Sequence, residues 1–183
     1  ERSRRNAESN MAIAVEALSG TPYTDDSWIV GLEPSCILMF RDEYLDLSPD
    51  PGSAQSISDR TLLVDEFLAM ALTKTDAVPF DTNYSKLLFH GHCQQKALSG
   101  TKPSMEVLRT LPNCEVVEVE SGCCGMAGSF GFESEHYDLS MTIGRLSLFP
   151  AIKNEPGEFE VVSLGVSCRQ QILDGTGRRA KHL

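Results

Sequence analysis

The residues of this chain best equipped for chemistry are its six cysteines: Cys36, Cys93, Cys114, Cys123, Cys124 and Cys168. Thiolates are soft ligands that suit zinc and iron–sulfur centres, and they are redox-active in their own right. A disulfide framework is the habit of short secreted chains. Here no apolar signal core follows Glu1-Arg2-Ser3-Arg4-Arg5. With 183 residues, 41% of them apolar, the chain can build a core without covalent staples. Cys123 and Cys124 are neighbours, and a bridge between adjacent residues is strained. Reduced thiols serving a metal or redox chemistry are the expected use.

Five of the six, at four places in the chain, share one structural address. Cys36, Cys93, the Cys123-Cys124 pair and Cys168 each follow a stretch that reads as a strand: 28–32, 86–91, 114–119 and 158–164. Helical periodicity is predicted over 6–19, with Met11, Val15 and Leu18 on one face, and over 37–47, 59–74 and 94–110, the last interrupted at Gly100. Most of 126–149 and a short segment from Arg169 also read as helix, while 21–26 and the Ser-, Pro- and Asp-rich 48–59 read as loops. This alternation predicts an α/β fold, a mostly parallel sheet with flanking helices. In such a sheet the carboxyl ends of the strands form one edge where ligands bind. Cysteines far apart in sequence would meet there, with the positive ends of helices turned toward them. Gly122, Gly125, Gly128 and Gly131 would let the backbone turn tightly beside the thiols.

Other candidates are weaker. Cys114 begins a strand outside this pattern and reads as a small buried hydrophobe. His90 and His92 alternate before Cys93; an extra ligand, a proton donor or a substrate contact weighs equally with an ordinary histidine bonded to backbone. His136, with Glu133 and Glu135 nearby, reads as part of a solvated helix face. The glycine-rich 125–131 segment has neither a dinucleotide fingerprint nor the Lys-Ser/Thr of a phosphate loop. Gly175 to Arg179 reads as a solvated tail rather than an anion site. Lys and Arg total 16 against 26 Asp and Glu, a net charge of −10 and a pI near 4.8, which argue against nucleic acid as a partner. No apolar run approaches the ~20 residues of a membrane span. The expected location is cytoplasmic, at most peripheral to the inner face of the membrane.

One internal repeat is visible. Ile29 to Cys36 aligns with Val161 to Cys168, with Val, Leu, Ser and Cys coinciding at Val30/Val162, Leu32/Leu164, Ser35/Ser167 and Cys36/Cys168.

Five stretches together resemble the cysteine-rich CCG domain. They are Gly31-Leu32-Glu33-Pro34-Ser35-Cys36, Phe40-Arg41-Asp42-Glu43, His90-Gly91-His92-Cys93-Gln94-Gln95-Lys96-Ala97-Leu98, Cys123 through Gly131, and Ser167-Cys168-Arg169-Gln170-Gln171-Ile172. This domain is found in the B subunit of heterodisulfide reductase, the C subunit of anaerobic glycerol-3-phosphate dehydrogenase and the iron–sulfur subunit of glycolate oxidase. The chain is most similar to the C-terminal region of FAD-linked oxidases and D-2-hydroxyacid dehydrogenases that also carry ferredoxin-like clusters. The resemblance implies a pseudo-duplicated CCG repeat: residues 1–58 as the C-terminal part of a first repeat, and 59–183 as a second, complete one. It implies a metal-binding site in which Cys93, Cys123, Cys124 and Cys168 hold an iron–sulfur cluster, with Cys36 and His92 as further candidate ligands.

The full motif ends in Cys-x-x-Cys, and Gln171 stands at its last position here. A four-thiolate 4Fe-4S cluster is therefore the expectation. The implied function is the electron-transfer part of a FAD-linked oxidoreductase that oxidises a 2-hydroxy acid of the D-lactate, glycolate or D-2-hydroxyglutarate type. FAD and ferredoxin-like domains would lie upstream and a quinone or carrier would accept the electrons, so this piece alone would be inactive. Two alternatives stay open: a cluster that is itself the active site, as in heterodisulfide reductase, and a structural zinc site, zinc being also a substitute for lost iron.

Overall fold

Short Leu-, Val- and Phe-rich strands set the framework of this computed structural model, which describes residues 1–19, 27–74 and 83–183. The chain divides into two units, Glu1–Phe67 and Leu68–Leu183. The expected loop at 21–26 lies outside the described residues.

The first unit begins with α1 (Arg2–Ser19), which buries Ala7, Met11 and Ala14. Its inner stripe is set by these residues at i, i+4 and i+7, and Val15, expected inside, is 38% exposed. Strand β1 (Ile29–Gly31) is followed by α2 (Pro34–Ile37), a 3₁₀ turn (Leu38–Arg41) and α3 (Glu43–Leu47), where one continuous helix is predicted from sequence. The predicted 48–59 loop is instead largely helix α4 (Pro51–Asp59). Asp50 caps it by accepting the Gly52 and Ser53 N–H groups, and Pro51 sits at the helix start, where its missing N–H costs nothing. The predicted 59–74 helix is likewise split. Thr61–Leu63 form β2, which pairs in parallel with β1 (Ile29 against Thr61), and only then does α5 (Val64–Leu72) begin. Arg41 grips Glu66 through both carboxylate oxygens (2.9 and 2.7 Å), and Glu66 also accepts the Leu63 N–H at 2.9 Å.

The second unit holds a four-stranded, all-parallel sheet in the order β4-β3-β5-β6, formed by β3 (Lys86–Phe89), β4 (Glu115–Glu118), β5 (Glu160–Val162) and β6 (Ala180–Lys181). Between β3 and β4 lie α6 (Cys93–Leu98) and α7 (Lys102–Leu108), separated by Gly100 at φ 75°. Between β4 and β5 lie a 3₁₀ turn (Phe130–Phe132), α8 (Tyr137–Leu146) and α9 (Leu148–Lys153). Between β5 and β6 lies α10 (Val166–Thr176), three residues earlier than the predicted start at Arg169. Strand alternation sorts the core. Leu88 and Val161 face Met141, Phe149, Ile152 and Ile172 from α8, α9 and α10. Leu87 and Val162 line a cavity with Val107 and Leu108 of α7. Each such fully buried aliphatic side chain contributes roughly 1.5–3 kcal/mol.

The predicted solvated tail is ordered: Gly177 ends α10 in the left-handed conformation (φ 76°), Arg178 lies 4.1 Å from the centre of the Phe159 ring, and β6 follows. No helix among the described residues is long and apolar enough to cross a membrane.

Candidate metal centre

Parallel strands deliver their carboxyl ends to one edge, and the three adjacent strands β4, β3 and β5 all lead into cysteines. From β3 the chain passes through His90-Gly91-His92 into α6, whose first residue is Cys93. From β4 it runs to Cys123-Cys124, and from β5 it enters α10, whose third residue is Cys168. Cys114 immediately precedes β4 and so lies at the opposite edge, donating weakly to the Glu115 carbonyl at 3.7 Å.

The four sulfurs form a row in which Cys93 contacts Cys123, Cys123 contacts Cys124, and Cys124 contacts Cys168. The row runs from surface to core: Cys93 is exposed, Cys123 half-buried, and Cys124 and Cys168 buried. Cys123 is the best stabilised thiolate. Hydrogen bonds from Cys124, then Cys93, bring its pKa down to about 2 despite partial burial, and the Gly125 N–H donates to its sulfur at 3.3 Å. Cys168 is held down to about 5, first by the Cys124 thiol and then, against desolvation, by His90. The donors are pushed the other way. Cys93 rises because its proton bonds Cys123 and its surroundings are partly desolvated, and Cys124 rises because it bonds both Cys123 and Cys168. Along the row the favoured form therefore alternates, thiol at Cys93 and Cys124 and thiolate at Cys123 and Cys168.

The neighbouring residues hold this row in place. His92 caps α6: its Nδ1 accepts the Gln94 N–H at 3.2 Å while Gln95 Oε1 accepts the His92 N–H at 3.3 Å, a reciprocal box. Lys96 Nζ donates to the carbonyls of Ser121 (2.5 Å) and Gly122 (3.0 Å), tying α6 to the Cys-Cys-Gly loop. Gly125 has φ 101°, and a Cβ there would collide with the Ser140 carbonyl, so only glycine fits the turn. Gln171 Nε2 donates to the Ser140 carbonyl (3.1 Å) and Oγ (2.9 Å), so the residue at the motif's missing thiolate position is committed to α8. His90 is buried with Nδ1 2.8 Å from Ser121 Oγ. Lys96, Ser121 and Ser140 escape sequence reasoning as site residues, because no spacing rule links them to the cysteines.

Other sequence candidates take separate places. Cys36 belongs to the first unit, where it is exposed at the third position of α2, as Cys168 is the third residue of α10. The backbone bond Ile37 N–H to Glu33 O (3.0 Å) matches Arg169 N–H to Gly165 O (3.0 Å). His136 stacks on Phe130 at 4.1 Å and bonds Glu133 at 2.9 Å, away from the thiol row in its interactions. Among the described residues, no three His, Cys, Asp or Glu side chains gather about one point that a single metal ion would take. The donor chemistry nonetheless fits a cluster: four thiols at one sheet edge, each in contact with the next, two of them favoured as thiolates.

The chain aligns over its whole length with the C subunit of anaerobic glycerol-3-phosphate dehydrogenase from Escherichia coli (strain K12), 29% identical over 184 residues that make up 44% of that protein. It is 33% identical over 156 residues to D-2-hydroxyglutarate dehydrogenase of the same strain, covering 82% of this chain and 14% of the relative. The Pantoea ananatis D-2-hydroxyglutarate dehydrogenase gives 32% over 154 residues, with coverage of 82% and 14%. No protein-family model and no solved structure matches the chain. The chain spans less than half the length of the first relative and about a seventh of the others, and it is homologous to parts of oxidoreductases.

Proposed function

We propose that this chain is the iron–sulfur electron-transfer part of a FAD-linked oxidoreductase that oxidises a 2-hydroxy acid. The observation that carries this reading is the row of four thiols, each in contact with the next, at the carboxyl edge of the sheet. Its support from the comparisons is that both kinds of relative are named as dehydrogenases. The substrate is of the D-lactate, glycolate or D-2-hydroxyglutarate type, and the hydride chemistry belongs to a flavin domain outside this sequence. Cys93, Cys123, Cys124 and Cys168 are the ligands of a 4Fe-4S cluster, and the local correspondence of α2 and α10 supports a CCG duplication in which Cys36 serves a separate site.

The cluster supplies a one-electron store between flavin and acceptor. The protein's own residues prepare the site. Hydrogen bonds favour Cys123 and Cys168 as thiolates, Gly125 gives the loop its turn, and Lys96 fixes that loop to α6. The exposed Cys93 end marks where electrons pass to or from a partner, while the buried Cys124–Cys168 end is shielded from water by α8 and α10. A single zinc ion needs its ligands around one point, an arrangement that no three His, Cys, Asp or Glu side chains make among the described residues.

Anaerobic reconstitution of the intact protein, followed by iron and zinc analysis and electron paramagnetic resonance, tests the proposal. Cys→Ser changes at the four positions replace a soft thiolate by a poor ligand and are expected to cut iron content sharply, while Cys114→Ser leaves it near the parent level. Equal iron in all five variants, or zinc with no iron signal, overturns the assignment.

A further inference from the structure

Two imidazoles border the thiol row, and electron transfer by itself gives them no task. His90 is fully buried. Its Nδ1 is engaged with Ser121 Oγ at 2.8 Å, whereas its Nε2 is buried without a hydrogen-bond partner. An orphaned ring nitrogen in a core is costly unless something polar comes within its reach, and the group nearby whose charged form His90 favours is the Cys168 thiolate. His92 is 5% exposed, and its Nδ1 accepts the Gln94 N–H at 3.2 Å. A ring nitrogen that accepts carries no proton, so the proton of the neutral ring is on Nε2. The adjoining carbon, Cδ2, lies over Gly165: a Cβ on Gly165 would fall within 3.0 Å of it and 3.3 Å from Cys168 Sγ. His92 therefore presents its Nε2 side to the same corner of the row.

We infer that His90 and His92 are positioning residues that offer Nε2–H donors to the sulfurs, His90 to Cys168 and His92 toward Cys168 and Cys123, and that neither is a metal ligand. For His92 the cap decides between the two roles. Ligation through Nε2 would move the proton to Nδ1, where it would face the Gln94 N–H and break the cap of α6. A hydrogen bond to a ligand sulfur draws charge from it and stabilises the more negative, reduced state of the bound group, which raises its potential. The His-Gly-His sequence thus sets the potential of the site from one strand end, with the Gln94 N–H fixing the His92 tautomer and the Ser121 hydroxyl able to donate to His90 Nδ1.

This inference rests on the four thiols being cluster ligands, and the test separates the two. In metal-free intact protein, ¹⁵N-histidine NMR is expected to show the Nε2–H tautomer for both rings; an Nδ1–H tautomer at His92 overturns the inference whatever the metal content. In reconstituted protein, three variants are compared by iron content and by redox titration followed by electron paramagnetic resonance. His92→Asn keeps an N-cap acceptor but removes the donor, His90→Leu removes the donor, and His90→Gln restores an amide N–H near the Nε2 position. His92→Asn and His90→Leu are expected to keep parental iron and to shift the reduction equilibrium about tenfold toward the oxidised state, which is ~59 mV for a one-electron couple. His90→Gln should recover most of the shift. Loss of iron in His92→Asn, or unchanged potentials in both donor-less variants, overturns the inference. Failure of the parent protein to bind iron defeats the cluster assignment instead, and the tautomers remain readable.

Discussion

Alanine at Gly165 tests the site geometry without touching a ligand. Gly165 is the residue before α10, with φ −69° and ψ 128°. Alanine adopts that backbone freely, so no strain arises from the main chain. The added methyl would lie within 3.0 Å of His92 Cδ2 and 3.3 Å from Cys168 Sγ. Neither neighbour can yield cheaply, since His92 is held by its cap and Cys168 lies inside the α10 turn. Overpacking of this kind costs about 1–3 kcal/mol. Displacing the His92 cap adds about 0.5–2 kcal/mol, and the stiffer unfolded chain returns about 0.4–1 kcal/mol. The net loss is roughly 0.5–4.5 kcal/mol from these terms. Gly122 is the control. It also adjoins a candidate ligand, but nothing lies within 4 Å of a Cβ there and its φ is not positive. Gly122→Ala should stay within about 0.5 kcal/mol of the parent. Urea unfolding of both metal-free variants, with iron retention after reconstitution, is the assay. Equal stability for the two alanines would refute the packing of His92 and Cys168 around Gly165.

Other outcomes follow from the same contacts. In metal-free protein at neutral pH, alkylation with peptide mapping should label Cys123 before Cys93, although Cys93 is the more exposed, because hydrogen bonds hold Cys123 as thiolate and leave Cys93 protonated. The depressed pKa values of Cys123 (about 2) and Cys168 (about 5) make their contribution to metal-free stability full above the unfolded thiol pKa of ~8.5 and lost as pH falls through those values. The raised values of Cys93 and Cys124 act oppositely above it, so urea midpoints should rise toward about pH 8.5 and then fall. Gln171→Leu strands the Ser140 carbonyl and hydroxyl, and calorimetry should show a loss of about 1–3 kcal/mol. Arg41→Lys gives up the paired contacts to Glu66 and should lower the stability of the first unit by about 1 kcal/mol, read by hydrogen exchange at Leu63.

The cysteine pattern was legible because it depends on coarse features. Strand-like runs before Cys93, Cys123 and Cys168 need only be parallel for the thiols to meet, and each of those strands forms within a few residues of its predicted place. Features governed by a single bond were not legible. Pro51, Gly52 and Ser53 look like loop by composition, but Asp50 and a proline at the first turn make them a capped helix start. Thr61–Leu63 lie inside a helical apolar pattern, and only pairing with β1 reveals them as a strand. Gln171 reads as a lost ligand in sequence, and its tether to Ser140, 31 residues away, appears only in three dimensions. The same holds for His90 and Ser121, whose partnership gives the ring its orientation.

The interleaving of strands also imposes an order of assembly during synthesis. β3 is made first of the four strands and lies in the middle, and it waits for β4 on one side and β5 on the other. More than forty residues separate Cys124 from Cys168. At about 5–20 residues per second a ribosome takes several seconds to cover that stretch. Throughout that interval the nascent chain carries three of the four thiols, beside an unpaired edge of β3 and without the cover of α10. Iron offered in that interval would meet three of the four candidate donors, and the set is complete only once the β5–α10 pair has emerged with Cys168.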